Sequence, residues 1–151
     1  MKKNEKETQI RHLTFEEMMP FINEQLSLDG SVELPVKGRS MLPLLQEGRD
    51  SVILRSLKKP LKKHDVILYK RESGTYVLHR IVALEEGGCA CKGDNQRAVE
   101  HGITHAQIIA RMVAFRRGGR LVRAHILRYK VCLALRRAKA LARKVKRRIK
   151  K

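Results

Sequence analysis

The feature that most constrains this chain is a succession of short apolar runs, each closed by a turn signal, between Val32 and Phe115. The runs are Val32–Val36, Ser51–Arg55, Asp65–Lys70, Thr75–Leu84, Cys89–Lys92 and Gln107–Phe115. The turn signals include Glu47-Gly48-Arg49-Asp50, Glu72-Ser73-Gly74 and Glu86-Gly87-Gly88. Runs this short, rich in Val and Ile and bounded by Gly or Asp, read as strands rather than helices. Many short strands joined by hairpin turns predict a mainly β fold built on an antiparallel, partly closed sheet. The chain contains no internal repeat.

Two segments break the pattern. At the N-terminal side Thr14 is followed three residues later by Glu17, a capping-box spacing, and Phe15, Met18, Met19, Ile22 and Leu26 recur at helical intervals. The spacing predicts a short helix from Thr14 to about Leu26 that packs on the body and is disturbed by Pro20. Beyond Gly118-Gly119 the residues Leu127, Val131, Leu135, Ala138, Ala142, Val145 and Ile149 follow helical spacing, with Arg136, Lys139, Arg143, Lys146 and Lys150 largely elsewhere around the wheel. This predicts a long basic amphipathic helix. The expected organisation is a polar tail at 1–13, one domain at 14–118 and the basic helix at 119–151, which suits a 151-residue chain with one core.

Charge is distributed unevenly. The formal net charge is +19, but 16 of the 34 Lys and Arg lie between Arg116 and Lys151, where there is no Asp or Glu. The remainder carries 18 basic residues against all 15 acids. A nearly neutral body with a basic block at one end implies an interaction tail for an anionic surface, not a diffusely basic protein. The tail lacks aromatic stacking residues other than Tyr129, so an anionic membrane surface is preferred to nucleic acid as its partner. Cys89, Cys91 and Cys132 make an odd count, and the first two are poorly spaced for a bridge along one strand. Free thiols in a reducing compartment are expected, with no metal site, because the second half of a zinc set is missing nearby. No secretory signal and no span-length apolar run is visible. A cytoplasmic protein, peripheral at the inner face of a membrane through its basic helix, is the expected location.

The residues that bear chemistry begin with Gly38-Arg39-Ser40-Met41-Leu42-Pro43, placed between a predicted strand and a turn. A serine there becomes a nucleophile only if a base stands beside it. His79 is the candidate base, since an imidazole with a reference pKa near ~6.5 accepts a serine proton close to neutrality. Its other reading is a core histidine, because Val77, His79 and Ile81 share a strand face. Arg80, pointing the other way, reads as structural or surface-exposed.

The order of motifs around these residues resembles the signal peptidase and LexA-like serine peptidase superfamily over about residues 35–115. The matching pieces are Gly38-Arg39-Ser40-Met41, Gly48-Arg49-Asp50, His64-Asp65-Val66-Ile67-Leu68-Tyr69, His79-Arg80-Ile81, Lys92-Gly93-Asp94-Asn95 and Ile108-Ile109-Ala110-Arg111. The His-Arg pair is similar to the endoplasmic-reticulum and archaeal-like branch, where a histidine replaces the usual lysine base. The resemblance implies a Ser40 nucleophile, a His79 base and an orienting acid, with Asp94 as first choice and Glu100 as second. It implies no cofactor, and a leader or signal-like peptide as substrate. Gly38 departs from secretory relatives and looks more like the repressor-type motif. Secretory members also carry an N-terminal membrane anchor that is not visible here, and the basic helix is expected to take over part of that task. Two rivals follow: a self-cleaving regulator of the LexA-like type, and a non-catalytic lipid- or nucleic-acid-binding protein on a degenerate peptidase scaffold.

Overall fold

A computed structural model describes residues 14–28 and 30–123. The chain opens with helix α1 (Phe15–Ser27), whose start is set by the expected capping box. The Thr14 hydroxyl accepts from the Glu17 amide at 3.3 Å, and the Glu17 carboxylate accepts from the Thr14 amide at 2.8 Å. The helix runs through Pro20 and buries Met19, Ile22 and Leu26, the residues its spacing brings to one face.

Eight strands follow: β1 (Ser31–Pro35), β2 (Asp50–Arg55), β3 (Val66–Lys70), β4 (Tyr76–Glu85), β5 (Gly88–Lys92), β6 (Glu100–Thr104), β7 (Ile108–Arg117) and β8 (Arg120–Arg123). They form one antiparallel sheet in the order β1-β2-β7-β3-β4-β5-β6, with β8 paired to β7. The mainly β architecture is as the sequence predicts. The partly closed sheet is not: β1 pairs with β2 and β6 with β5, and the two ends do not meet, so the sheet is open.

The two ends of the sheet cover different cores. One cluster gathers α1, β1, β2, the turn after β1 and one side of β3 and β7, including Ile22, Leu34, Met41, Leu45, Leu54, Leu68 and Met112. The second gathers Ile67, Tyr69, Ile81, Cys89, Cys91, Ile103 and Ile108. Strand β3 serves both, since Val66 and Leu68 enter the first cluster and Ile67 and Tyr69 the second. All four are buried, which explains a continuous apolar run without alternation.

Two strands were not anticipated. β6 reads Glu-His-Gly-Ile-Thr, with only Ile103 buried, and it is held against β5 by the Cys89↔Ile103 and Gly88↔Thr104 pairings. A Cβ at Gly88 would stand 2.0 Å from the Ile103 carbonyl oxygen, so this approach requires glycine. The start of the expected 119–151 helix is also corrected. Gly118 and Gly119, at φ 52° and 78°, turn the chain back so that Arg120–Arg123 pairs with β7 as β8. The rest of that helix, the polar tail at 1–13 and Cys132 lie outside the described residues. Among the described residues no helix is long and apolar enough to cross a membrane.

Candidate active site

Ser40 sits on the turn that connects β1 to β2. The turn departs from the sheet at Gly38, whose φ of 78° is the left-handed conformation glycine tolerates, and its amide donates to the Glu47 carboxylate at 3.1 Å. It is fixed at its far end by Asp50, whose buried carboxylate accepts from the Gln46 amide, from Arg49 and from Arg117. Arg117 also donates to the Leu44 carbonyl at 2.5 Å. Met41 and Leu45 drive the apolar side of the turn into the first core cluster. Ser40 is thereby left half-buried on a braced loop above a packed sheet.

Beside Ser40 lies a cavity of about 360 Å³. Its walls are apolar, with Leu34 and Val36 from the β1 side, Tyr76 and Leu78 from β4, and Leu54 and Leu68 beneath. Phe15 and Met18 of α1 lie at its border. Leu34, Pro35, Val36 and Lys37 all line it, together with Ser40.

The Gly93-Asp94-Asn95 segment closes on the Ser40 turn. The Asn95 amide donates to the Ser40 carbonyl at 2.7 Å, and the Asn95 side chain donates to the Arg39 carbonyl at 3.3 Å. A Cβ on Gly93 would come within 2.9 Å of the Ser40 carbonyl oxygen, so glycine is what allows the two segments to touch. Asp94 itself receives both Arg80 Nε and Nη2, at 2.9 and 2.8 Å. Arg80 also donates to the His64 carbonyl at 2.8 Å and is only 4% exposed. Arg80 is therefore structural and buried, not surface-exposed, and it engages the acid that the sequence ranked first as partner of His79.

His79 is fully buried on β4, on the side of the second cluster with Ile81. Its Nδ1 lies 3.2 Å from the Tyr69 hydroxyl and 3.4 Å from Glu100 Oε1. Glu100 is gripped by Arg71, through Nε to Oε2 at 2.8 Å and through Nη2 to Oε1. The geometry thus reverses the expected order of the two acids: Glu100, not Asp94, faces the imidazole. The longer glutamate arm spans from the β6 edge, whereas Asp94 is turned toward Arg80 at the end of β5.

Electrostatics follow from this arrangement. Burial disfavours the imidazolium and holds His79 below the ordinary histidine range, against the upward pull of the Glu100 charge. Arg71 adds to the downward push and Asp94 opposes it. The hydrogen bonds from Arg71 hold the Glu100 carboxyl below its usual range despite partial burial. Burial, and then the charge of Glu100, push the Tyr69 phenol far up, so it keeps its proton. Cys89 and Cys91 are free thiols with sulfurs 3.8 Å apart, both pushed up by burial.

The structure brings Asn95 to Ser40 and Glu100 to His79, but it does not join the two halves by a hydrogen bond. His79 Nε2 is buried with no hydrogen-bond partner, and the Ser40 turn packs on the first cluster while His79 packs on the second. Sequence reasoning missed Tyr69 and Arg71. The hairpin offered a signal for Tyr69: once β3 and β4 pair across the 71–75 turn, Ile67 falls opposite His79 and Tyr69 opposite Val77, diagonal to it. Compared with models of known families and with curated proteins, the chain matches none.

Proposed function

We propose that this protein is a serine endopeptidase of the signal-peptidase type that cleaves an extended, leader-like peptide, with Ser40 as nucleophile and His79 as base. The observation that carries the reading is the placement of Ser40 on a braced turn at an apolar, strand-flanked groove. His79 supports it through chemistry: its Nδ1 is occupied by Tyr69 and Glu100, and its Nε2 is unpaired. That division of the two ring nitrogens is the one a base needs.

In this reading the peptide seats as a strand in the groove, and the reaction requires the Ser40 turn to rearrange until Oγ reaches Nε2, which in this structure lies buried against the other cluster. Oγ attacks the carbonyl carbon and its proton passes to Nε2. The C–N bond breaks as that proton moves to the leaving amine, and a water deprotonated by the same nitrogen then hydrolyses the Ser40 ester. Glu100 takes the orienting role, and Asp94 with Arg80 supports the segment that meets Ser40. The basic C-terminal tail would hold the enzyme at an anionic membrane surface on its cytoplasmic side, a proposal that rests on its charge pattern.

A second reading, a non-catalytic binding protein on the same scaffold, is favoured by one observation: no hydrogen bond joins Ser40 to His79. A fluorophosphonate probe separates the two. The enzyme is expected to label at Ser40, with labelling abolished in Ser40→Ala and strongly slowed in His79→Ala, both remaining folded by circular dichroism. Failure of the wild-type protein to label, with or without an apolar peptide present, would favour the binding protein.

A further inference from the structure

We infer that the crossover from β2 to β3, residues 56–65, is a docking surface for the anionic face of a lipid bilayer, and that it meets that face together with the basic tail. The segment reads Ser-Leu-Lys-Lys-Pro-Leu-Lys-Lys-His-Asp, with four lysines within six residues. Lys58, Lys59, Lys62 and Lys63 are all exposed, whereas Leu57 and Leu61 are half-buried and pack against the second core cluster. The leucines thus seat the segment on the sheet, and the lysines stay at its surface. The arch is braced from beneath. Arg111 donates to the Pro60 carbonyl at 3.4 Å and to the Asp65 carboxylate at 3.3 Å, and that carboxylate also accepts from the Lys62 amide at 2.9 Å. The His64 amide donates to the Ile81 carbonyl at 2.9 Å. Asp65, the one acid of the segment, is turned in to Arg111 with its side chain 14% exposed.

Strand register brings the root of the tail to the same place. At Arg111, strand β7 has Arg55 of β2 on one side and Ile67 of β3 on the other; at Ala114 it has Ile53 of β2 and Arg123 of β8. β8 and β3 therefore share one side of β7. Both run antiparallel to it, so the end of β8 points at the start of β3. Arg123 and Ile67 stand opposite positions three apart on β7, roughly 10 Å along the strand direction. The crossover ends inside that interval, at Asp65. Residues 124–151, which follow β8 in the chain, hold 12 Lys and Arg and no Asp or Glu. Two basic segments remote in sequence thus start from one spot on the sheet. The chemistry favours a bilayer over nucleic acid, because the crossover offers compact, strongly hydrated ammonium groups and no arginine fork or aromatic ring for bidentate or stacking contacts. The inference rests on the membrane placement of the tail proposed above. It does not rest on the peptidase chemistry, since the Ser40 turn packs on the first cluster and the crossover on the second.

The test titrates the full chain with phosphatidylcholine vesicles, with vesicles mixed two to one from phosphatidylcholine and phosphatidylserine, and with duplex DNA. The wild type should bind the mixed vesicles and leave the neutral ones. Lys62→Gln/Lys63→Gln should weaken that binding by about 10- to 30-fold, since each lysine near an anionic surface contributes about 5-fold. Lys62→Arg/Lys63→Arg, which keeps the charge, should bind as the wild type does. Lys37→Gln/Lys70→Gln removes the same charge from exposed positions at the groove and at the far end of β3, and should stay within about 3-fold of wild type. Circular dichroism checks folding, and Lys58→Gln/Lys59→Gln carries the test should the first pair misfold. Full binding by the crossover variants overturns the inference and leaves the tail as the membrane contact. Equal losses in the crossover and control pairs overturn it too, by reducing the effect to net charge. A wild type that ignores the mixed vesicles overturns both the docking surface and the membrane placement, and tighter binding to DNA than to vesicles moves the partner to nucleic acid. Fluorophosphonate labelling of Ser40 should be unchanged in Lys62→Gln/Lys63→Gln; a protein that never labels loses the peptidase reading and keeps the docking surface.

Discussion

Replacing Asp50 with Asn should loosen the turn that carries Ser40, and the structure sets the size of the effect. The carboxylate is fully buried and accepts from the Gln46 amide at 2.9 Å, from Arg49 at 3.0 and 2.7 Å and from Arg117 at 2.9 and 3.2 Å. Burial alone would raise its pKa. The bonds from Arg49 and Arg117 and from the Gln46 amide outweigh burial and take it from 3.8 to about 2. At roughly 1.4 kcal/mol per pH unit, that gap is worth ~2.5 kcal/mol of stability to the ionised form. The two guanidinium side chains are 38% and 40% exposed, so solvent screening brings the expected loss in Asp50→Asn to about 2 kcal/mol. Because the folded pKa is depressed, the contribution is present above pH 3.8 and disappears as pH falls toward 2. Urea denaturation of wild type and variant should therefore differ by about 2 kcal/mol at pH 7 and converge near pH 2, with a melting temperature lowered by roughly 5–10 °C at neutrality. A stability difference that does not change between pH 7 and pH 2 would refute the assignment of this energy to the charged cluster.

Gly93→Ala should place a methyl 2.9 Å from the Ser40 carbonyl oxygen and 2.8 Å from Gln96 Oε1. Breaking the Asn95–Ser40 backbone bond and straining the contact should cost about 1–3 kcal/mol, visible in denaturation, and amide exchange at Asn95 should quicken; an unchanged exchange rate would show that the segments are not in contact. The two carboxylates should separate cleanly in mutagenesis. Asp94→Asn removes the carboxylate that buried Arg80 grips through Nε and Nη2 and should lower stability by about 3 kcal/mol. Glu100→Gln should cost less stability but alter the pH profile of Ser40 labelling, and a larger stability loss in Glu100→Gln would reverse the two roles.

Local chemistry made much of the fold legible in the sequence. Thr14 and Glu17 announced the helix because a capping box satisfies its orphan amides within four residues. The apolar runs announced β1 to β5 and β7, because strands buried on one or both faces must be Val- and Ile-rich or alternate. Ser40 stood out as a candidate because its turn carries Gly38 and is followed in order by the Asp50, His79 and Gly93-Asp94-Asn95 segments. β6 was silent because an edge strand needs little apolar surface of its own. Its Ile103 gains meaning only through register against Cys89.

Other features belonged to the tertiary structure. Whether the sheet closes depends on which strands lie at its ends, and β1 and β6 finish on separate cores. Asp94 and Glu100 are near in sequence to one another and both carry a carboxylate, so spacing could not decide which meets His79. The pairing of β4 with β5 directs Asp94 to Arg80, and the pairing of β5 with β6 brings Glu100 across to the imidazole. The same register sets Tyr69 against Nδ1 and packs the Ser40 turn on the other cluster. Side-chain chemistry is written residue by residue, but a distance between residues remote in sequence is fixed only when strands pair, since each register shift exchanges one face of the sheet for the other.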